Sequence, residues 1–558
     1  MEAAGHECRM ISSVPVLMRD GARLFTTVYL PIAEGQYPVV LIRTAYDRSA
    51  TYDPYFPTNG MGLVVQDCRG RYDSDGEHIP FANEVDDGFD TIEWICNQDW
   101  CDGHIGMYGD SYLAATQFAA AISGTPHLTA LTPRFMSGDC WKRAYYCDGV
   151  FSLALTWSWL CFEVAARTSD AQLTDLLNLP DVLRCLPIRE MDEISGAGKV
   201  PTYRKYVEHS CYDEHWEALS IRDKYDKFQV PSMFVGGGYD NYAADAVKDF
   251  LGVRAHAGDD ELRDSHRLLI GPWPHGVSRD STLGETDFGA NALTENDATY
   301  RWLNCMLHGR DASEFMEAPI RIFVMGLNRW RDEYEWPLAR TRYVSYFLHD
   351  GGVLDTERPI SDETPDVYTY APADPVLTLG GNHSVGPYNP GLYDMARPGP
   401  YDQRPNEERD DVLVYRSGVL TDDMEVTGPV VMKLYATSSA RDTDFMVKLT
   451  DIHPDGRSMN ITEGVIRARF REDVMGKPTL IDPGQVYEFA IDMQVTSNLF
   501  RKGHRLGVYI MSSNFPLWDR NLNTGNEPGT DTEICVAEQT IFHSAKWQSH
   551  IILPVVSP

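Results

Sequence analysis

The feature that most constrains this chain is a change of hydrophobic rhythm along its length. In the N-terminal part, unbroken apolar runs at 38–42 and 61–65 are followed by segments whose apolar residues recur every three or four positions. Val85, Phe89, Ile92 and Cys96 show that spacing and predict an amphipathic helix. Short unbroken apolar runs suit strands buried on both faces, as in a parallel sheet. A strand-like stretch at 105–108 then leads into a helix-like one at 113–122, closed by Gly124 and Pro126. Strand and helix alternating in this way predict a doubly wound α/β domain.

The rhythm breaks after Pro133 and changes twice more. Residues 136–220 are rich in aromatics at helical spacing and read as an inserted helical unit. The α/β pattern returns with strands at 232–235, 268–270 and 320–325 and a helix carrying Ala243, Val247, Phe250 and Leu251 on one face. Beyond 337, strict alternation at 487–493 and 506–510 predicts an antiparallel sandwich of jelly-roll type. The stretch 355–411, rich in Pro, Gly and Asp, is expected to form long surface loops. The predicted division is therefore 1–135 and 221–337 for the α/β part, 136–220 for the helical insert, and 338–558 for the β part.

Charge narrows the function. Lys and Arg number 49 against 82 Asp and Glu, a formal charge of -33 that repels phosphate backbones and anionic membranes. Nucleic-acid and membrane partners are not expected. There is no apolar run of the roughly 18 residues a membrane span needs, nor a basic segment followed by an apolar one at the start, so a cytoplasmic location is expected. Eleven cysteines scattered from Cys8 to Cys535 fit reduced thiols. No second ligand pair follows Cys96 and Cys101 or Cys140 and Cys147, and the acidic stretch 73–78 lacks the spacing of a calcium loop, so no metal is expected. Asn382-His383-Ser384 and Asn460-Ile461-Thr462 match glycosylation acceptors but carry little weight without a secretory signal.

Chemistry concentrates at Met107-Tyr108-Gly109-Asp110-Ser111-Tyr112-Leu113-Ala114, where strand, tight turn and helix meet. A serine between small residues at such a junction projects its hydroxyl over the sheet, forming a nucleophile elbow. A hydroxyl nucleophile needs a base, and the base needs a carboxylate to hold its tautomer. Asp240 follows one predicted strand through Gly236-Gly237-Gly238-Tyr239, and His275 follows another through Gly271-Pro272-Trp273-Pro274. All three lie past the carboxyl ends of strands, where open α/β sheets place their sites, in the order Ser, Asp, His. Taken singly, each has a plainer reading: helix cap, turn former and loop histidine. Asp110 either complements the N-terminus of the following helix or favours cationic substrates.

With these motifs the chain resembles the cocaine esterase and X-prolyl dipeptidyl-peptidase group of serine hydrolases, the CocE/NonD family. The likeness extends through Arg43-Thr44-Ala45-Tyr46-Asp47, Gln66-Asp67-Cys68-Arg69-Gly70-Arg71, Asn328-Arg329-Trp330-Arg331 and Asp442-Thr443-Asp444-Phe445, and is weakest in the helical insert. It implies an α/β-hydrolase core, an inserted helical cap and a C-terminal jelly-roll domain, with Ser111, Asp240 and His275 as the triad. It also implies an oxyanion hole made of the Tyr46 hydroxyl and the Tyr112 backbone N–H. Tyr242 falls where related esterases place an acyl-pocket aromatic, and with Trp141, Trp157 and Trp159 suggests an apolar acyl site. The implied reaction is hydrolysis of a small-molecule ester or amide through an acyl-enzyme, with no cofactor. X-prolyl dipeptidyl-peptidase, α-amino-acid ester hydrolase, cephalosporin-type acylase and acyltransferase activities remain alternatives. So does an inert binding protein that uses its β-sandwich. Residues Asn241, Tyr242 and Ala243 after the acid lack the carboxylates of the amino-acid ester hydrolases. Homo-oligomer formation is left open.

Overall fold

The computed structural model describes residues 8–164, 180–196, 198–386 and 390–556. Of the predicted helical insert, 165–179 and 197 lie outside the described residues.

Among the described residues, the N-terminal half builds a ten-stranded sheet. Its spatial order is Cys8–Leu17, Arg23–Pro31, Gly62–Asp67, Tyr37–Thr44, Cys101–Asp110, Leu128–Arg134, Met233–Gly237, Arg267–Gly271, Ile320–Val324 and Arg329–Glu333. The strands from Gly62–Asp67 to Ile320–Val324 run parallel, and antiparallel pairs close both edges. The unbroken apolar runs have a direct physical cause. Val39, Leu41, Val64 and Met107 enter a hydrophobic core on one face, covered by the helices Glu84–Cys96, Tyr112–Ile122 and Ala243–Ala255. Val40, Ile42, Leu63 and Val65 enter a second core with Trp302 and Leu303 of the helix Ala298–Leu307. A strand covered on both sides has no polar face to offer.

The C-terminal part is a β domain whose eleven described strands surround one core. Phe489, Ile491 and Met493 of the strand Tyr487–Phe500 point into that core while Glu488 and Ala490 face water. The architecture is thus an α/β-hydrolase core carrying an insert and a jelly-roll domain. Among the described residues of the insert, the pieces are short, from Leu153–Thr156 and the π-helical Trp157–Val164 to Pro201–Glu208 and Glu214–Leu219. No helix among the described residues is long and apolar enough to cross a membrane.

One expectation is corrected. The stretch 355–411 is not a set of surface loops: it contains the strand Asp366–Tyr370, and Val376, Val385 and Ala396 are core residues. Asn382, His383 and Ser384 are buried where the β domain meets the hydrolase sheet, with Asn382 donating to the carbonyls of Gly238 and Ile461. Its Pro, Gly and Asp content encodes irregular backbone, and here that backbone fills a join. Asn460 is buried as well and accepts from the Tyr401 N–H at 2.7 Å.

Candidate active site

Ser111 joins the strand Cys101–Asp110 to the helix Tyr112–Ile122 with φ +56° and ψ -121°, a conformation rare for a side-chain-bearing residue. The surroundings hold it there. Its N–H donates to the Arg134 carbonyl at 2.9 Å, and its own carbonyl accepts from Ala114 and Ala115 at 2.8 and 3.1 Å. Two residues earlier, Gly109 has φ +140°, and a Cβ there would lie 2.4 Å from that of Leu113. The serine side chain makes no capping bond, so the helix-cap reading does not hold.

Asp240 and His275 come from neighbouring parallel strands, Met233–Gly237 and Arg267–Gly271, whose C-terminal loops interlock. The Gly238 N–H donates to the Gly271 carbonyl at 2.7 Å and the Tyr239 N–H to the Trp273 carbonyl at 3.0 Å. A side chain at Gly237 would strike the Trp273 carbonyl at 2.3 Å, which is why the loop preceding the acid is built on glycine. His275 Nδ1 lies 3.2 Å from Oδ1 of the fully buried Asp240. Burial pulls the imidazole pKa down, but the Asp240 carboxylate, helped by Asp110, overcomes this and leaves it raised.

Ser111 and His275 line one cavity of about 680 Å³ together with Tyr46, Trp159 and Tyr242. Tyr242 packs on His275 with ring centroids 5.6 Å apart. Tyr46 follows the strand Tyr37–Thr44, and its hydroxyl oxygen accepts from Trp159 Nε1 at 2.9 Å. Trp141 and Trp157 do not join the lining. Trp141 stacks on Tyr146 at 5.7 Å and Trp157 packs edge-on against Tyr203 at 5.4 Å, both fully enclosed in the core of the insert. Sequence spacing placed all three tryptophans in one helical unit, but which of them faces the cavity depends on the fold of the insert.

Several lining residues had no sequence signal, among them Phe81, Ser384 and Arg134. Phe81 stacks on Tyr112 at 4.8 Å, Ser384 arrives from the β domain, and Arg134 pairs with Asp110. Among the described residues, the hydrogen-bond partner of Asp110 is Arg134 and not a backbone N–H of the following helix. Behind the elbow, the Tyr112 hydroxyl donates to Glu84 Oε1 at 2.6 Å, and Glu84 pairs with the fully buried Arg43. Arg43 also donates to Gln66 at 2.9 Å, so two of the motifs that carry the family resemblance meet in one buried network under the nucleophile turn.

Comparison with known proteins agrees with this geometry. The model for X-Pro dipeptidyl-peptidase (S15 family) matches residues 20–277, and that for the X-Pro dipeptidyl-peptidase C-terminal non-catalytic domain matches 314–552. The chain is 37% identical to a cocaine esterase of Rhodococcus sp. (strain MB1 Bresler) over 98% of both chains. Its fold is similar to that of an aminopeptidase from a marine sediment archaeon, Thaumarchaeota archaeon (TM-score 0.87, 23% identity, covering 99% of this chain and 97% of the other). It is also similar to a selenomethionine-labelled α-amino acid ester hydrolase (TM-score 0.84, 24% identity, covering 100% and 98%). The chain belongs to the CocE/NonD family of serine hydrolases, enzymes that act on ester or amide bonds.

Proposed function

We propose that this enzyme hydrolyses esters of small, uncharged acyl groups through an acyl-enzyme on Ser111, with His275 as base and Asp240 as its orienting carboxylate. The observation that carries this reading is the strained turn of Ser111 opening into the same cavity as His275, whose Nδ1 is engaged by buried Asp240. With Nδ1 so engaged, Nε2 takes the Ser111 proton as Oγ attacks the carbonyl carbon. The Tyr46 hydroxyl and Tyr112 N–H stabilise the oxyanion. His275 then protonates the leaving group and activates the water that releases the acid.

The choice of an uncharged acyl group rests on the lining. Its carboxylates among the described residues are both engaged, Asp110 by Arg134 and Asp53 by the Tyr300 hydroxyl at 2.6 Å. Asn241, the residue after the acid, donates its amide to the Arg143 carbonyl at 2.6 Å. Asp110 is balanced by a cation, and both oxygens of Asp53 already accept bonds, from the Tyr300 hydroxyl and the Tyr55 N–H, so neither is presented free to a substrate's amine as amino-acid ester hydrolysis requires.

The domain division is kept in this reading: 136–220 is the cap and 338–558 the β domain. Arg329–Glu333 still pairs within the hydrolase sheet, and Thr341–His349 pairs with the C-terminal strand His550–Val556, which supports the border at 337. A reading without nucleic-acid or membrane partners rests on the charge of -33, and a cytoplasmic location is supported by the free thiols of the described cysteines.

Labelling with a fluorophosphonate is expected to place a single adduct on Ser111, and Ser111→Ala is expected to abolish both adduct and turnover. An adduct elsewhere, or an active Ser111→Ala enzyme, removes the triad assignment. Across a panel of aryl esters, amino-acid esters and X-Pro amides, the aryl esters should be turned over fastest.

A further inference from the structure

The Tyr46 hydroxyl is held by a group from the insert. Trp159 lies in the π-helical segment Trp157–Val164, and its indole Nε1–H donates to the Tyr46 oxygen at 2.9 Å. Helical irregularities of this kind are common at functional sites. The indole plane is set by its neighbours: it lies near-parallel to Phe81 at 5.9 Å and 14° and to Tyr112 at 6.0 Å and 27°. Tyr46 meets Tyr112 edge-on at 6.3 Å, and its backbone is pinned by an N–H bond to Thr44 Oγ1 at 3.0 Å. Both partners of the Trp159–Tyr46 bond are thus fixed, one from the hydrolase sheet and one from the insert.

An indole N–H can only donate. It occupies one lone pair of the phenol oxygen and turns the phenol's own hydrogen away from the indole. A hydroxyl that already accepts a hydrogen bond is also a stronger donor, since bonds in a chain polarise one another.

We infer that Trp159 is a positioning residue for catalysis: through its N–H it aims and strengthens the Tyr46 hydroxyl as an oxyanion donor, so that the insert completes the catalytic constellation. This rests on the reading of Tyr46 as an oxyanion donor given above. It assigns Trp159 a role separate from lining the acyl site, because a purely apolar contact would be met by any aromatic ring. The contribution is made in the transition state, when the carbonyl oxygen gains charge, and it appears in kcat more than in KM.

Trp159→Phe keeps an aromatic ring and removes the donor. On a small neutral aryl ester, kcat is expected to fall roughly five- to twentyfold with KM within about twofold, the scale of one hydrogen bond to a reacting group. Binding of an arylboronic acid, which forms a tetrahedral adduct on the serine, should weaken in parallel. Tyr46→Phe alone is expected to lower kcat about a hundredfold, and Trp159→Phe added to it should cost less than about twofold more. If Trp159→Phe costs the same factor with and without the Tyr46 hydroxyl, or acts on KM alone, Trp159 serves only as packing and the inference fails. If Tyr46→Phe leaves kcat unchanged, the oxyanion reading of Tyr46 fails first and takes this inference with it, a result separable from the former.

Discussion

The guanidinium of Arg134 pairs with the carboxylate of Asp110, one residue before Ser111, and lies 4.4 Å over the ring of Tyr108. Arg134 reaches this position from the end of the neighbouring strand, where it also donates to Thr299 Oγ1 at 3.0 Å. A negative charge beside the nucleophile is thereby largely balanced, yet it still contributes to raising the pKa of His275.

That contribution gives a pH signature. As the proposed base, His275 can act only when neutral, so activity should fall as pH drops through a value above the ordinary imidazole pKa of about 6.5. Asp110→Asn removes one of the charges that raise it and should move this acid limb of kcat/KM to lower pH. Arg134→Gln leaves Asp110 unbalanced and should move it to higher pH. Profiles on a neutral ester would show the two shifts in opposite directions, and shifts of the same sign would contradict the assignment.

Gly109→Ala should damage the nucleophile turn. The new methyl would lie 2.4 Å from Leu113 Cβ, at a φ of +140° that side-chain-bearing residues seldom adopt. A cost on the order of 2 kcal/mol is expected from the backbone conformation alone. Urea denaturation should show the loss of stability, and fluorophosphonate labelling of Ser111 should slow by more than the change in folded fraction explains.

Glu84→Gln tests the network beneath the elbow. Glu84 is buried, pairs with Arg43 and accepts from the Tyr112 hydroxyl. Removing one partner of a buried ion pair typically costs about 3–5 kcal/mol because the other charge is left exposed to a low dielectric. Asp87, 3.7 Å from Arg43, should hold the loss to the lower end of that range. Equilibrium unfolding by guanidinium measures it.

The β domain should show its own alkaline weakness. Buried His543 has Nδ1 3.2 Å from Glu363 and Nε2 3.0 Å from Asp366, so both ring nitrogens face carboxylates. Burial lowers its pKa, but the bond to Asp366 and the charges of Asp366, Glu363 and Asp350 outweigh this and raise it. A raised value means the stabilisation is complete below about pH 6.5, the unfolded value, and is lost as pH climbs through the folded one. Above about pH 6.5 the Tm of the wild-type protein should therefore fall more steeply than that of His543→Gln, as calorimetry would show.

Much of this molecule was legible in one sequence because burial and turn chemistry are local. Runs such as 38–42 announce a strand covered on both sides, and the structure divides their residues between two cores. The turns around Gly109 and Gly237 demand glycine for steric reasons that a pattern of small residues already records. Ser111, Asp240 and His275 could each be singled out because each lies a few residues past the carboxyl end of a predicted strand.

The remainder needed three dimensions. Nothing in the spacing of Trp141, Trp157 and Trp159 tells which ring reaches the cavity, since the described pieces of the insert are too short for helical periodicity to define a face. Ser384 could not be found at all, because 273 positions of chain separate it from Ser111 and only the docking of the β domain brings it to the cavity wall. The pairing of Asp110 with Arg134 likewise follows from strand register, which sets the two residues side by side. By itself, then, the sequence determined the layered architecture, the turn chemistry and the choice of candidate reactive groups, all of which depend on near neighbours in the chain. The partners of those groups, and with them the shape and charge of the cavity, were decided only by long-range packing, whose contacts no local pattern encodes.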